Sequence, residues 1–187
     1  MMRKDKQKIG LISFGCLFLL GVLFGCYFSH QQNLLPLRNV PLGKSMDLSG
    51  TLTEMFLFFL FDHVFWLLFM FLFGLTFLGA LVIPGVIFSK GIVQGITFTA
   101  AFAAVGSWSY VRICSMHLFG AFCTVLLFYF AVRSFILSIN FCRQLYGAKG
   151  VQINWAQYGV YFIGTLAIFV AFGCVYSLTG YLLFEFL

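Results

Sequence analysis

The sequence predicts an all-α, polytopic membrane protein with about five transmembrane helices, its N-terminus in the cytoplasm and its C-terminus outside. Composition is the first reason: 62% of the 187 residues are hydrophobic and 9% are charged, whereas soluble domains carry about 25% charged residues. Length is the second, because uncharged stretches of the size that crosses a bilayer recur along the chain. The third is the uneven placement of Lys and Arg, which indicates the orientation.

Five stretches are the candidate spans, and all belong to a single integral membrane domain over residues 1–187. They are residues 9–28, 64–88, 91–106, 113–132 (continuing helical to about 142) and 158–184. We interpret the first as a retained helix, because its apolar run is longer than a signal-peptide core and no Ala-x-Ala site follows. Residues 29–53 form an outer loop, and residues 52–62 an interfacial segment on the outer surface.

The distribution of basic residues predicts this orientation. Seven fall in the inner segments, namely Arg3, Lys4, Lys6, Lys8, Lys90, Arg143 and Lys149, and three in the outer ones, namely Arg38, Lys44 and Arg112. The excess of Lys and Arg marks the cytoplasmic side. The net charge of +6 therefore indicates membrane topology rather than a nucleic-acid partner.

Lys90 sets the register of the second and third spans. A lysine is costly at the bilayer centre, so we expect Lys90 to lie at the membrane surface in a tight hairpin. By the same argument Asp62 and His63 lie at headgroup depth, with an Asp-His proton relay as the functional alternative. Arg133 either snorkels to the cytoplasmic headgroups or lies inside the bundle against a polar partner.

Motifs for catalysis and for cofactors are missing from the sequence. It contains no G-x-S-x-G, H-E-x-x-H, Walker A or paired carboxylates, and its six cysteines form no C-x-x-C pair. We therefore expect no enzyme activity, no cofactor and no metal. Gly21 and Gly25 form a small-xxx-small pair, which suits close helix packing and leaves a homo-oligomer open.

One segment resembles a known family. Phe88-x-Lys90-Gly91-x-x-x-Gly95-x-Thr97, preceded by Leu78-Gly79, is similar to the F-x-K-G-x-x-x-G-x-T segment of the stage II sporulation protein M family. The similarity extends more weakly over most of the chain, including the basic start, the Gly-rich first span and the long last span.

The resemblance implies a non-enzymatic scaffold in endospore formation. Such a protein recruits and positions cell-wall-degrading partners, the stage II proteins D and P, at the septal membrane during engulfment and peptidoglycan remodelling. It implies a bacterial plasma membrane location, in the septal or engulfing membrane of the mother cell, with lipid contacts. The alternative is a small permease or a transporter subunit, with Lys90, Arg133 and Asp62-His63 lining a path; a polar cavity at the midplane distinguishes this alternative from a scaffold.

Overall fold

The regular structure of the protein is helical throughout the part that the computed structural model describes, residues 2–31, 51–103, 109–147 and 154–186. Its helices are α1 (Met2–Gln31), α2 (Leu52–Gly74), α3 (Gly79–Ala103), α4 (Ser109–Leu145) and α5 (Trp155–Phe186). Each of the 5 is long and apolar enough to cross a membrane. The prediction of an all-α, multi-pass membrane protein is confirmed.

Helix α2 starts much earlier than the sequence analysis predicts. Thr51 is its N-cap: the Thr51 hydroxyl accepts a hydrogen bond from the Glu54 N–H at 3.3 Å, and the Glu54 carboxylate accepts one from the Thr51 N–H at 2.9 Å. This capping box satisfies two backbone donors that a helix start leaves open. The prediction that residues 52–62 lie flat at the interface is therefore wrong, because these residues form the first half of α2.

The connection between α2 and α3 lies at residues 75–78, well before Lys90. The Leu75 N–H donates to the Leu72 carbonyl at 3.2 Å, and the Thr76 N–H donates to the Phe73 carbonyl at 3.0 Å. The turn is built from apolar residues and one threonine between Gly74 and Gly79, so no charge marks it in the sequence. The predicted boundaries 64–88 and 91–106 are accordingly wrong.

The other three predicted spans lie inside longer helices. Residues 9–28 lie within α1, residues 113–142 within α4, and residues 158–184 within α5. At ~1.5 Å per residue, the 37 residues of α4 extend to about 55 Å, well beyond a hydrocarbon core of about 30 Å. The predicted outer loop begins inside α1, which ends at Gln31, and its residues 32–50 lie outside the described part of the chain.

Helix α4 lies at the centre of the bundle and contacts each of the other four helices. Helix α1 packs mainly on α3, and α2 packs mainly on α5. The core is apolar and includes Leu67, Met70, Ile83, Leu127, Phe130 and Phe169. Large apolar side chains also cover the exterior, such as Leu81 at 80% exposure and Phe61 at 72%. Such an exterior suits contact with membrane lipid.

The orientation of the bundle stays a prediction that labelling can test. With Lys90 inside α3, the inner count of basic residues falls from seven to six against three outside, so the expected direction is unchanged. In a variant without native cysteines, a cysteine at Asn39 should react with a membrane-impermeant reagent in intact cells, and one at Ala148 should not. Both positions lie outside the described residues. The reverse pattern would invert the orientation.

Candidate functional site: a buried ion pair

Lys90 lies in the interior of the bundle and not at the membrane surface. It is in the middle of α3, its side chain is 1% exposed, and its Nζ donates a hydrogen bond of 2.5 Å to Oδ2 of Asp62. The prediction of a surface hairpin at Lys90 is therefore wrong. The lysine is tolerated at this depth because a carboxylate from the neighbouring helix neutralises it.

The geometry of the α2–α3 hairpin explains why these two residues meet. The two helices are joined by a short turn, so they run antiparallel and residues at equal distance from the turn lie at equal depth. Asp62 precedes the turn and Lys90 follows it by similar lengths of helix, roughly 20 Å at ~1.5 Å per residue. Both residues are therefore near the midpoints of their helices, where an unpaired charge costs most.

The surroundings of the pair are largely apolar. The side chain of Asp62 keeps 28% exposure, and Lys90 Nζ lies 5.8 Å from the centroid of the Trp66 ring, within range of a cation–π contact. Taking two charges out of water is expensive, and their attraction offsets that cost only when both are present. Removal of either partner leaves a charge inside the bundle.

His63 is buried next to the pair without completing a relay. Its Nδ1 lies 2.9 Å from the Phe59 carbonyl oxygen, and its ring stacks on Phe59 at 4.4 Å and meets the edge of Phe169 at 5.6 Å. The distance from Nδ1 to Asp62 Oδ2 is 3.7 Å, which is longer than a hydrogen bond. The prediction that Asp62 and His63 lie at headgroup depth is wrong for both residues.

Gly21 and Gly25 of α1 face Gly91 and Gly95 of α3. The latter two belong to residues 88–97, which we call the family-like segment. A Cβ on Gly91 would meet the Phe18 carbonyl oxygen and come within 3.1 Å of the Gly21 Cα, and a Cβ on Gly21 would meet the Phe88 carbonyl oxygen. One turn further along, a Cβ on Gly25 would meet the Ile92 carbonyl oxygen, and a Cβ on Gly95 that of Val22. Backbone thus lies directly on backbone, an approach that only glycine permits.

The remaining residues of the segment also make contacts within the chain. Phe88 lies 6.3 Å from the ring of Phe24 on α1, and the Thr97 hydroxyl donates to the Val93 carbonyl at 2.7 Å. Gly79 begins α3, where a Cβ would meet the Phe73 carbonyl oxygen and Oγ of Ser138. Phe88, Lys90 and the three glycines therefore serve the packing of α3 against α1, α2 and α4, whereas the Thr97 hydrogen bond lies within α3.

Arg133 lies apart from the ion pair, on α4. Its guanidinium carbon is 3.6 Å from the centroid of the Tyr161 ring and 4.6 Å from that of Tyr129, and its Nη2 donates to the Tyr129 hydroxyl. It has no carboxylate partner among the described residues. Aromatic rings thus hold Arg133 in place, in a half-buried position between α4 and α5.

No group of three or more His, Cys, Asp and Glu side chains in the described ranges could hold a metal ion. Comparison of the chain with protein-family models, with curated proteins and with solved structures finds no match.

The substitution Lys90→Arg tests whether Lys90 lies at the membrane surface or inside the bundle. A lysine that snorkels to the membrane surface tolerates arginine, because charge and reach are kept. In the closed site beside Asp62 the larger planar guanidinium must displace packed side chains, which typically costs about 1–3 kcal/mol. We expect Lys90→Arg to lower the amount of folded protein, measured by detergent size-exclusion chromatography. Arg143→Lys, at an exposed position near the end of α4, is the control and should have no effect.

Proposed function

We propose that this chain is a non-enzymatic membrane scaffold in endospore formation, which recruits and positions cell-wall-degrading proteins at the septal membrane during engulfment. The resemblance to the stage II sporulation protein M family supplies the process and the partners, the stage II proteins D and P. Its setting is the plasma membrane of a bacterium.

The observation that carries the scaffold proposal is the internal use of the family-like segment. Lys90 is hydrogen-bonded to Asp62, and Gly91 and Gly95 are covered by the backbone of α1. These residues are engaged in contacts within the chain, as expected of a bundle whose segment serves packing. The lipid-facing surface of the spans is left to bind partners, through the close van der Waals packing by which helices associate in membranes.

Co-purification tests the proposal directly. A tagged copy of the chain, expressed at its natural level in sporulating cells and extracted in mild detergent, should bring down the stage II proteins D and P and should localise to the septum. A tagged multi-pass protein of the vegetative membrane is the control and should recover neither. Recovery of neither partner by a chain that is abundant and correctly inserted would reject the scaffold role.

A small permease or transporter subunit is the second candidate, and the depth of the ion pair favours it. The scaffold interpretation expects polar groups only at the two interfaces, whereas Asp62 and Lys90 lie near the middle of their helices. Charged residues at that depth often belong to ion or substrate paths.

Proton movement in reconstituted vesicles distinguishes the two candidates. A proton-coupled transporter should acidify vesicles that hold a pH-sensitive dye when a pH gradient and a potential are imposed. A scaffold should give the same trace as empty vesicles.

A further inference from the structure

Arg133 belongs to a polar cluster on three helices that the scaffold role does not use. The Tyr129 hydroxyl accepts a hydrogen bond from Arg133 Nη2, and the Gln7 side chain on α1 lies near this hydroxyl. On α5 the Gln157 amide donates to the Tyr161 hydroxyl at 3.0 Å, and the Tyr161 ring covers the guanidinium. We call Gln7, Tyr129, Arg133, Gln157 and Tyr161 the Arg133 cluster.

The Arg133 cluster lies at one end of the membrane-spanning region. Gly10, one turn from Gln7, packs against Val132, so the basic start of α1 is level with this part of α4. Ser138, just over one turn beyond Arg133, donates to the Thr76 carbonyl at 2.7 Å, which places the α2–α3 turn at a similar height. Basic residues and turns mark the boundary between hydrocarbon and headgroups.

The guanidinium at this boundary has unused hydrogen-bonding capacity. Its one hydrogen bond to a described residue is from Nη2 to Tyr129, and its Nε is buried with no hydrogen-bond partner in the described part of the chain. Lys90 has a carboxylate partner within the protein, Asp62. Arg133 instead lies against two tyrosine rings, and no carboxylate in the described part of the chain offsets its charge.

We propose that the Arg133 cluster binds the phosphate group of an anionic phospholipid. The guanidinium lies over the Tyr161 ring and beside Tyr129, and it carries the planar fork of N–H donors with which arginine binds phosphate oxygens. The Gln7 and Gln157 amides supply further donors around it, and Lys8 adds a second positive charge on the same end of α1. The apolar outer faces of α1 and α5 lie alongside the acyl chains.

Native mass spectrometry of the purified full-length chain tests this site with defined lipids. The chain is delipidated in mild detergent and titrated with phosphatidylglycerol or with phosphatidylcholine of the same acyl chains. Phosphatidylglycerol should bind more tightly. Arg133→Gln should weaken that binding about fivefold or more, since one basic residue near an anionic headgroup contributes about 1 kcal/mol. Arg143→Gln removes the same charge at an exposed position of α4 and should leave the affinity unchanged.

A second variant, Arg133→Lys, and competition by inorganic phosphate complete the test of the lipid site. Arg133→Lys keeps the charge but loses the stacked fork, so it should bind phosphatidylglycerol with intermediate affinity, and it replaces Arg133→Gln if that variant does not fold. Millimolar inorganic phosphate should not compete; competition would assign the site to a soluble phosphate compound and overturn the lipid proposal. Equal weakening by Arg133→Gln and Arg143→Gln, or equal binding of the two lipids by the natural chain, would also overturn it.

Discussion

Lys90→Met should remove most of the folded protein from the membrane. The methionine keeps the unbranched apolar stem but leaves the Asp62 carboxylate inside the bundle without its partner, and breaking a buried pair in this way costs about 3–5 kcal/mol. That is a large fraction of the stability of a typical domain, about 5–15 kcal/mol. The measurement is the amount of monodisperse protein after detergent extraction, together with its midpoint of thermal unfolding.

Two further variants show whether the unpaired charge causes the loss of folded protein in Lys90→Met. Lys8→Met removes the same charge at an exposed position of α1 and should keep normal abundance. Asp62→Asn, which leaves the lysine unpaired, should be about as harmful as Lys90→Met. Normal abundance of Lys90→Met would mean that Asp62 does not depend on Lys90.

Gly91→Ala should be nearly as damaging although it adds a single methyl group. The new Cβ would meet the Phe18 carbonyl oxygen and the Gly21 Cα, which are backbone atoms and cannot rotate away. Helix α1 must therefore move off α3, with an expected loss at or above the upper end of the 1–3 kcal/mol that overpacking typically costs, roughly 3 kcal/mol. The free energy of unfolding, measured by titration with a denaturing detergent, gives the value.

Gly85→Ala is the matched control on the same helix. Nothing lies within 4 Å of a Cβ at that position, so the substitution should be neutral or stabilising by up to about 1 kcal/mol through the higher helix propensity of alanine. If Gly91→Ala and Gly85→Ala had the same effect, the close contact between α1 and α3 would not exist in the membrane.

The sequence was sufficient to predict the fold class and three of the five helices, because long uncharged runs between polar segments allow few alternatives. It placed the turn between α2 and α3 wrongly because the real turn has no charge and no proline. Thr51 and Glu54 have the spacing of a capping box, which is a sequence signal for a helix start at this position.

One assumption produced both errors at the ion pair. Taken singly, Lys90 and Asp62 are each predicted at the surface, because an isolated charge belongs at the interface. A lone lysine and a lone aspartate of opposite sign in neighbouring spans are also the signal of an interhelical pair, and with the turn at residues 75–78 they fall at equal depth. Similarly, the pairs Gly21/Gly25 and Gly91/Gly95 are visible in the sequence, but their mutual contact follows only from the packing of α1 on α3.

A double-mutant cycle on Asp62 and Lys90 is the most direct test of the claim that this pair holds α2 to α3 inside the bundle. The free energy of unfolding is measured for the natural chain, Asp62→Asn, Lys90→Met and the double variant in one detergent. Residues in contact show coupling of about 0.5–3 kcal/mol, and a buried hydrogen-bonded pair belongs at the upper end of that range. We predict that the double variant is about 2–3 kcal/mol less destabilised than the sum of the single variants, whereas strictly additive losses would contradict the pairing.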